Sequence, residues 1–164
     1  AQGALPDRAL WDRALLARLR TMGEPDFAAL PDLSEGLENR LYRASRTAKS
    51  PEALLADAKT KRYSHARLRR VLLAAMLGLP AGLSAAAPPY LRVLGFTPRG
   101  AEILSAAKAT RTLPLSPSLA ELAQTGETAA RFAGLESRAA DLYHAFTPGL
   151  APCGSEYTTP VLKL

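Results

Sequence analysis

A mainly α-helical fold is what this sequence predicts: a multi-helix domain with a small strand–helix–strand element appended near residues 90–116. Three observations carry that expectation. The 164 residues include 32 Ala and 29 Leu but only three Val and one Ile, and Ala and Leu favour helices whereas β-branched residues favour strands. Apolar residues recur at three- and four-residue spacing through most of the chain. Only Tyr90 to Phe96 reads as a strand. The composition excludes an all-β sandwich or a large parallel sheet. Hydrophobic residues at 48% and charged residues at 22% also argue against wholesale disorder.

Pro6 to Met22 reads as the first helix. Asp7 stands near its start, Arg18 and Arg20 near its end, and Gly23 just beyond. Glu24 to Leu30 is expected to be a short helix or turn. Ser34 is positioned to cap the next helix, whose apolar stripe is Leu37, Leu41, Ala44 and Ala48. Pro51 suits the first turn of a helix running to about Thr60. Ser64 can cap another, carrying Leu68, Val71, Leu72 and Ala75 and ending near Gly78 and Pro80. After Tyr90–Phe96, Pro98 and Gly100 lead into a helix with Ile103, Leu104 and Ala107. Leu113 to Leu115 could be a second strand, completing a crossover. A long helix covers roughly Glu127 to Phe146, and the tail from Glu156 to Leu164 could add an edge strand. The organisation expected is a helical basic region over 1–80, a connector rich in Ala, Gly and Pro over 81–89, and a unit over 90–164, all packed as one domain.

Several chemistries are excluded. Cys153 is the sole cysteine, and with only His65 and His144 it makes no Cys/His zinc site. No nucleotide-binding glycine loop of the P-loop or dinucleotide type, and no HExxH pattern, is present. Glu35 with Glu38, and Asp141 with His144, have spacings that any helix can show. No catalytic or metal-ligating residue is therefore assigned. No apolar run reaches 18 residues and no signal-peptide pattern opens the chain, so a cytoplasmic protein without a membrane span is expected. The start at Ala1 rather than Met fits a piece of something longer.

The net charge of +6 is unevenly placed. Between Arg40 and Arg70 stand ten basic residues against Glu52 and Asp57, a local balance of +8 that leaves −2 for the rest. A surface of that kind attracts phosphate backbones in a salt-dependent way, and arginine forks suit bidentate phosphate contacts. Tyr42 and Tyr63 lie within it and could stack on unpaired bases. The alternative is a solvated charged face. Arg92 interrupts the strand and must reach solvent or pair with a carboxylate; an ion pair is favoured over a phosphate contact.

Five segments in order carry a resemblance. They are Ser34-Glu-Gly-Leu-Glu-Asn-Arg40, Lys59-Thr-Lys-Arg-Tyr63 with Arg67 and Arg70, Tyr90-Leu-Arg-Val-Leu-Gly-Phe96 with Gly100, Ala140-Asp-Leu-Tyr143, and Glu156-Tyr-Thr-Thr-Pro160. Together they resemble the C-terminal half of the bacterial tRNA(Met) cytidine acetate ligases, a HIGH-type nucleotidyltransferase-like family. The resemblance implies an enzyme that activates acetate with ATP as acetyl-adenylate and transfers it to N4 of the wobble cytidine, forming N4-acetylcytidine.

The family's glycine-rich phosphate loop and HIGH-type histidine motif are not in this sequence. The resemblance therefore implies a tRNA-binding C-terminal half without the catalytic half. Its partners would be tRNA and its own N-terminal nucleotidyltransferase-like domain. No cofactor would bind this chain, with ATP, acetate and, as an option, magnesium serving the full-length parent. Arg40, Lys59, Lys61, Arg62, Arg67 and Arg70 would contact RNA phosphates. Tyr63 would stack on a base or pack the basic joint. The alternative is a non-catalytic helical scaffold or dimerisation domain.

Overall fold

The sequence folds into eight α-helices, a short 3-10 helix at Ser155–Tyr157 and four two-residue strands among the residues that the computed structural model describes, 5–34, 36–82 and 87–164. The chain divides into two units. Unit 1 takes residues 1–86 and 146–148, and unit 2 takes 87–145 and 149–164. The division falls inside the expected connector, whose residues 83–86 lie outside the described set, as does Glu35.

Unit 1 is all helical. Helix α1 spans Arg8–Thr21, and Asp7 caps it by accepting from the Ala9 and Leu10 N–H groups. Helix α2 is Glu24–Ala28 and α3 is Leu37–Thr47. Helix α4 is Pro51–Ala58, with Ser50 as its cap and Pro51 in its first turn. Helix α5 is His65–Leu77, capped by Ser64 and ended by Gly78. The expected Ser34 cap does not form. Gly36 is the residue before α3, with φ at +80°, a left-handed conformation that glycine adopts without strain. Ser34 is left to bind α5 and the residues before it. The apolar stripes meet in one core that includes Leu15, Leu19, Phe27, Leu37, Leu41, Leu54, Leu55, Leu68, Val71 and Leu72. Phe27 packs edge-on against Tyr42 with ring centroids 5.8 Å apart, and Trp11 meets Phe146 in the same manner at 5.2 Å.

Arginines lock these helices through backbone carbonyls. Arg20 of α1 donates to the Ala48 carbonyl at 2.8 Å and to that of Ser45 at 3.4 Å, at the end of α3. Arg46 of α3 returns the arrangement, donating to the carbonyls of Arg20 at 2.7 Å, Met22 at 3.2 Å and Leu19. Each helix thus supplies the side chain that satisfies the orphan C-terminal carbonyls of the other.

Unit 2 carries the strands. The stretch expected as one strand is two: β1 (Leu91–Arg92) and β2 (Gly95–Phe96). Strand β1 pairs in parallel with β3 (Leu115–Ser116), after the intervening α6 (Pro98–Ala107). Strand β2 pairs in parallel with β4 (Leu162–Lys163), so the tail does add a strand. At β2 a side chain on Gly95 would come within 3.1 Å of the Leu162 carbonyl oxygen, which is why a glycine stands there. Helix α7 (Leu119–Ala123), absent from the sequence reading, packs on α8 (Glu127–Ala145). Ala129, Ala133 and Ser137 form the buried stripe of α8 at four-residue spacing. The core here is smaller: Tyr90, Leu119, Leu122, Ala129 and Ala133. Helix α6 buries no residue fully.

Among the described residues, no helix is long and apolar enough to cross a membrane, and no group of three or more His, Cys, Asp or Glu could hold a metal ion.

Candidate functional site

The expected phosphate contacts lie in unit 1, and the fold sorts them into two sets. The first gathers where α3 passes the end of α4. Arg40 is exposed and donates to the Asp57 carbonyl at 3.3 Å, which places its guanidinium beside Lys59, the residue that ends α4. Arg43 follows Arg40 at the i+3 position of α3, one turn along the same face. Lys61 and Arg62 are exposed in the joint between α4 and α5, where the Arg62 N–H donates to the Thr60 hydroxyl at 3.2 Å. Arg43, Lys59 and Lys61 make no ion pair among the described residues. Glu38 and Asp57, each two residues from a member of this group, are the acidic residues closest to it in sequence.

The second set is already engaged. Arg67 donates to the Asp32 carbonyl at 2.8 and 3.0 Å and to the Ser34 hydroxyl at 3.1 Å, and its Nε stands 3.4 Å from an Asp32 carboxylate oxygen. The other Asp32 carboxylate oxygen accepts from Arg70 at 3.1 Å. Tyr63 is buried, its hydroxyl donates to the Ser34 carbonyl at 2.6 Å, and the Arg67 guanidinium covers its ring at 5.3 Å. No face of Tyr63 is left for a base. Of its two readings, packing the basic joint is the one the geometry holds. Tyr42 is likewise engaged, under the Arg46 guanidinium at 4.8 Å.

Sequence reasoning missed Asp32, because the acidic residues were counted only between Arg40 and Arg70. A signal was available in the Pro-Asp pair at 31–32, which suits a turn. Missed as well were the carbonyl contacts of Arg46 and Arg40, which depend on tertiary approach.

Elsewhere in unit 1, a cleft of about 430 Å³ lies among α1, α4 and α5. It is lined by Trp11, Leu15, Leu55 and Leu72, with Arg8, Glu52 and Arg69 among its charged residues. Arg8 pairs with Glu52 and with Asp12.

Unit 2 holds a buried polar cluster. Arg92 donates to the Glu136 carboxylate at 3.1 Å and meets the Glu156 carboxylate at 2.7 Å, with its side chain only 10% exposed. The ion pair favoured for it is therefore present. Tyr90 donates to the other Glu136 oxygen at 2.8 Å. Burial raises the Tyr90 phenol well above its ordinary range, and its hydrogen bond to Glu136 adds to the rise. Burial alone would lower the Arg92 guanidinium, but hydrogen bonds to Glu156 and Glu136 outweigh it and raise it. Asp141 accepts from the Gly154 N–H at 2.9 Å, fixing the C-terminal loop to α8. Cys153 is exposed.

A family model described as HIGH Nucleotidyl Transferase matches residues 3–155. The chain belongs to that family. Among curated relatives, the tRNA(Met) cytidine acetate ligase of Clostridium kluyveri is 42% identical over 94 residues, covering 55% of this chain and 23% of that protein. The protein of the same name from Thermoanaerobacter sp. is 30% identical over 135 residues, covering 81% of this chain and 33% of that one. The chain thus spans a third or less of the curated relatives it matches. The crystal structure of Thermotoga maritima TmcAL bound with alpha-thio ATP superposes with a TM-score of 0.84 at 24% identity, over 93% of this chain and 41% of that one. That likeness shows a shared fold.

These matches correct the functional expectation. The HIGH Nucleotidyl Transferase model matches residues 3–155, nearly the whole chain. A tRNA-binding C-terminal half that lacks the catalytic, ATP-binding half is overturned, and a bare scaffold with it. The expectation went astray because it equated the family with its glycine loop and histidine motif alone.

Proposed function

We propose that this chain works within an ATP-dependent ligase that acts on tRNA, and that the Arg40–Arg62 face of unit 1 holds phosphate groups. The observation that carries the reading is the gathering of exposed Arg40, Arg43, Lys59, Lys61 and Arg62 at one end of an otherwise self-satisfied helical unit. Arg43, Lys59 and Lys61 make no ion pair among the described residues, which positions them for a polyanion. The start of α5 adds the positive end of a helix dipole beside Lys61 and Arg62.

The relatives' name supplies the substrates, acetate and a cytidine of tRNA(Met), and the family resemblance supplies the product, N4-acetylcytidine. Acetate attacks the α-phosphate of ATP and releases pyrophosphate, giving an acetyl-adenylate; the cytidine amine then attacks the acetyl carbon, losing a proton as AMP leaves. ATP phosphates and tRNA phosphates both need cations, and the face of unit 1 suits either. Arg67, Arg70 and Tyr63 are left out of the phosphate set, because Asp32 and Ser34 engage them.

The test is binding of a tRNA(Met) transcript and of ATP to the chain across a salt series. Binding should weaken steeply with salt. The double substitution Lys61→Glu/Arg62→Glu should weaken it by about tenfold or more, by the logic of lost phosphate contacts. Binding indifferent to both salt and these substitutions would sink the reading.

A further inference from the structure

Asp32 stands out on backbone and side chain together. It is the one non-glycine residue with positive φ among the described residues, at +62°. Such a conformation is uncommon outside glycine and is kept where the surroundings impose it. What imposes it here is Arg67, which grips the Asp32 carbonyl through two N–H groups at 2.8 and 3.0 Å. The carboxylate is thereby delivered between two guanidinium groups, 3.4 Å from Arg67 and 3.1 Å from Arg70. Two arginines on one anion are the arrangement that a phosphate group seeks. Arg67 is tied down by further bonds to Ser34 and by its stacking on Tyr63. Arg70 is different: it is 66% exposed and bonds the Asp32 carboxylate.

We propose that Asp32 is an internal competitor for phosphate on this face: its carboxylate occupies the phosphate position at Arg70 and is displaced when a chain of phosphates docks along α5 and the joint before it. This rests on the reading of the Arg40–Arg62 face as a phosphate-binding surface. Its consequence is selectivity. A lone anion must displace Asp32 for the sake of one contact. A nucleic-acid backbone anchored at Lys59, Lys61 and Arg62 presents its next phosphate at high effective concentration and displaces it readily. Asp32 therefore sets a threshold that favours ligands with consecutive phosphates over free anions.

The test compares the chain with its Asp32→Asn variant, using a labelled unstructured single-stranded RNA and inorganic phosphate as competitor. Asparagine accepts the left-handed conformation well and leaves the carbonyl contacts to Arg67 in place. Circular dichroism melting verifies that the variant folds. Asp32→Asn should bind RNA about twofold to fivefold more tightly, the scale of one exposed ionic contact. Its log–log salt slope should steepen by about 0.7, one more counterion released from a single strand. Inorganic phosphate should compete better against the variant than against the parent. In an Arg70→Gln background the gain from Asp32→Asn should vanish.

An equal gain in that background would reveal only a general loss of negative charge, and would overturn the proposal. So would the absence of any gain while Lys61→Glu/Arg62→Glu still weakens binding, an outcome that leaves the phosphate-binding face standing. Failure of every variant to bind RNA would remove the face itself, and the proposal with it.

Discussion

Five arginines of unit 1 reach for backbone carbonyls, whereas Arg92 in unit 2 lies between two carboxylates. In unit 1, Arg18, Arg20, Arg40, Arg46 and Arg67 all donate to main-chain oxygens. None of these bonds spends a carboxylate, so the unit keeps its positive charge while locking its helices. In unit 2 the same residue type is neutralised by Glu136 and Glu156 beside a small apolar core. The contrast shows how a local +8 can coexist with a stable fold. A leucine-rich core and carbonyl-directed arginines hold unit 1, which leaves Arg43, Lys59 and Lys61 unspent. Unit 2 depends on a buried polar cluster to join β1, α8 and the turn at Ser155–Tyr157.

The largest break in this contrast should come from Phe27→Ala in unit 1. Phe27 is fully buried against Tyr42, and removal of such a ring costs about 3–5 kcal/mol. Denaturant unfolding should show a matching fall in midpoint, and an effect below about 1 kcal/mol would mean that the core is not the main support. Next should come Arg92→Met, which leaves two carboxylates facing each other. Breaking a fully buried pair costs about 3–5 kcal/mol. Glu136 is 39% exposed, so about 2–3 kcal/mol is expected once solvent screening is allowed for. The loss should be read by hydrogen exchange in α7 and α8.

Tyr90→Phe should cost about 1 kcal/mol, the scale of a hydrogen bond to a partly solvated carboxylate. Its sign with pH is specific. The folded phenol is raised above its unfolded value, so its contribution is full below about pH 10 and is lost as pH rises beyond that. The parent and Tyr90→Phe should therefore differ by a constant amount in neutral solution and converge in alkali. Divergence in alkali would contradict the buried phenol. The smallest effect, below about 1 kcal/mol, is expected for Arg46→Met, whose lost bonds go to neutral carbonyls and leave no carboxylate unpaired. If Arg46→Met proves as damaging as Arg92→Met, the two uses of arginine are energetically alike and the contrast fails.

Much of this fold could be read from the sequence because it is written locally. Asp7 and Ser64 announce helix starts, Pro51 a first turn, and leucine spacing the buried faces. The strand–helix–strand crossover and a strand in the tail could be read from one strand-like stretch and one apolar tail, but the separate pairing of β2 with β4 could not. The Ser34 cap failed because Tyr63 and Arg67, about thirty residues away, claim Ser34. The break of Tyr90–Phe96 into two strands is also a tertiary matter, since its halves pair with different segments. At the candidate site, charge density was legible but availability was not. Arg70 and Lys61 look alike in sequence, and only the approach of Asp32 separates them.

The exchanged arginines of α1 and α3 bear on the order of folding. The last carbonyls of α1 are met by Arg46, 24 to 27 residues further along, and those of α3 by Arg20, 25 to 28 residues back. Neither helix can finish its C-terminal turn in isolation, so the two ends mature in the same event, when α3 docks. Substitutions at Arg20 and Arg46 should consequently shift folding and unfolding rates in the same proportion, the kinetic signature of a single shared step.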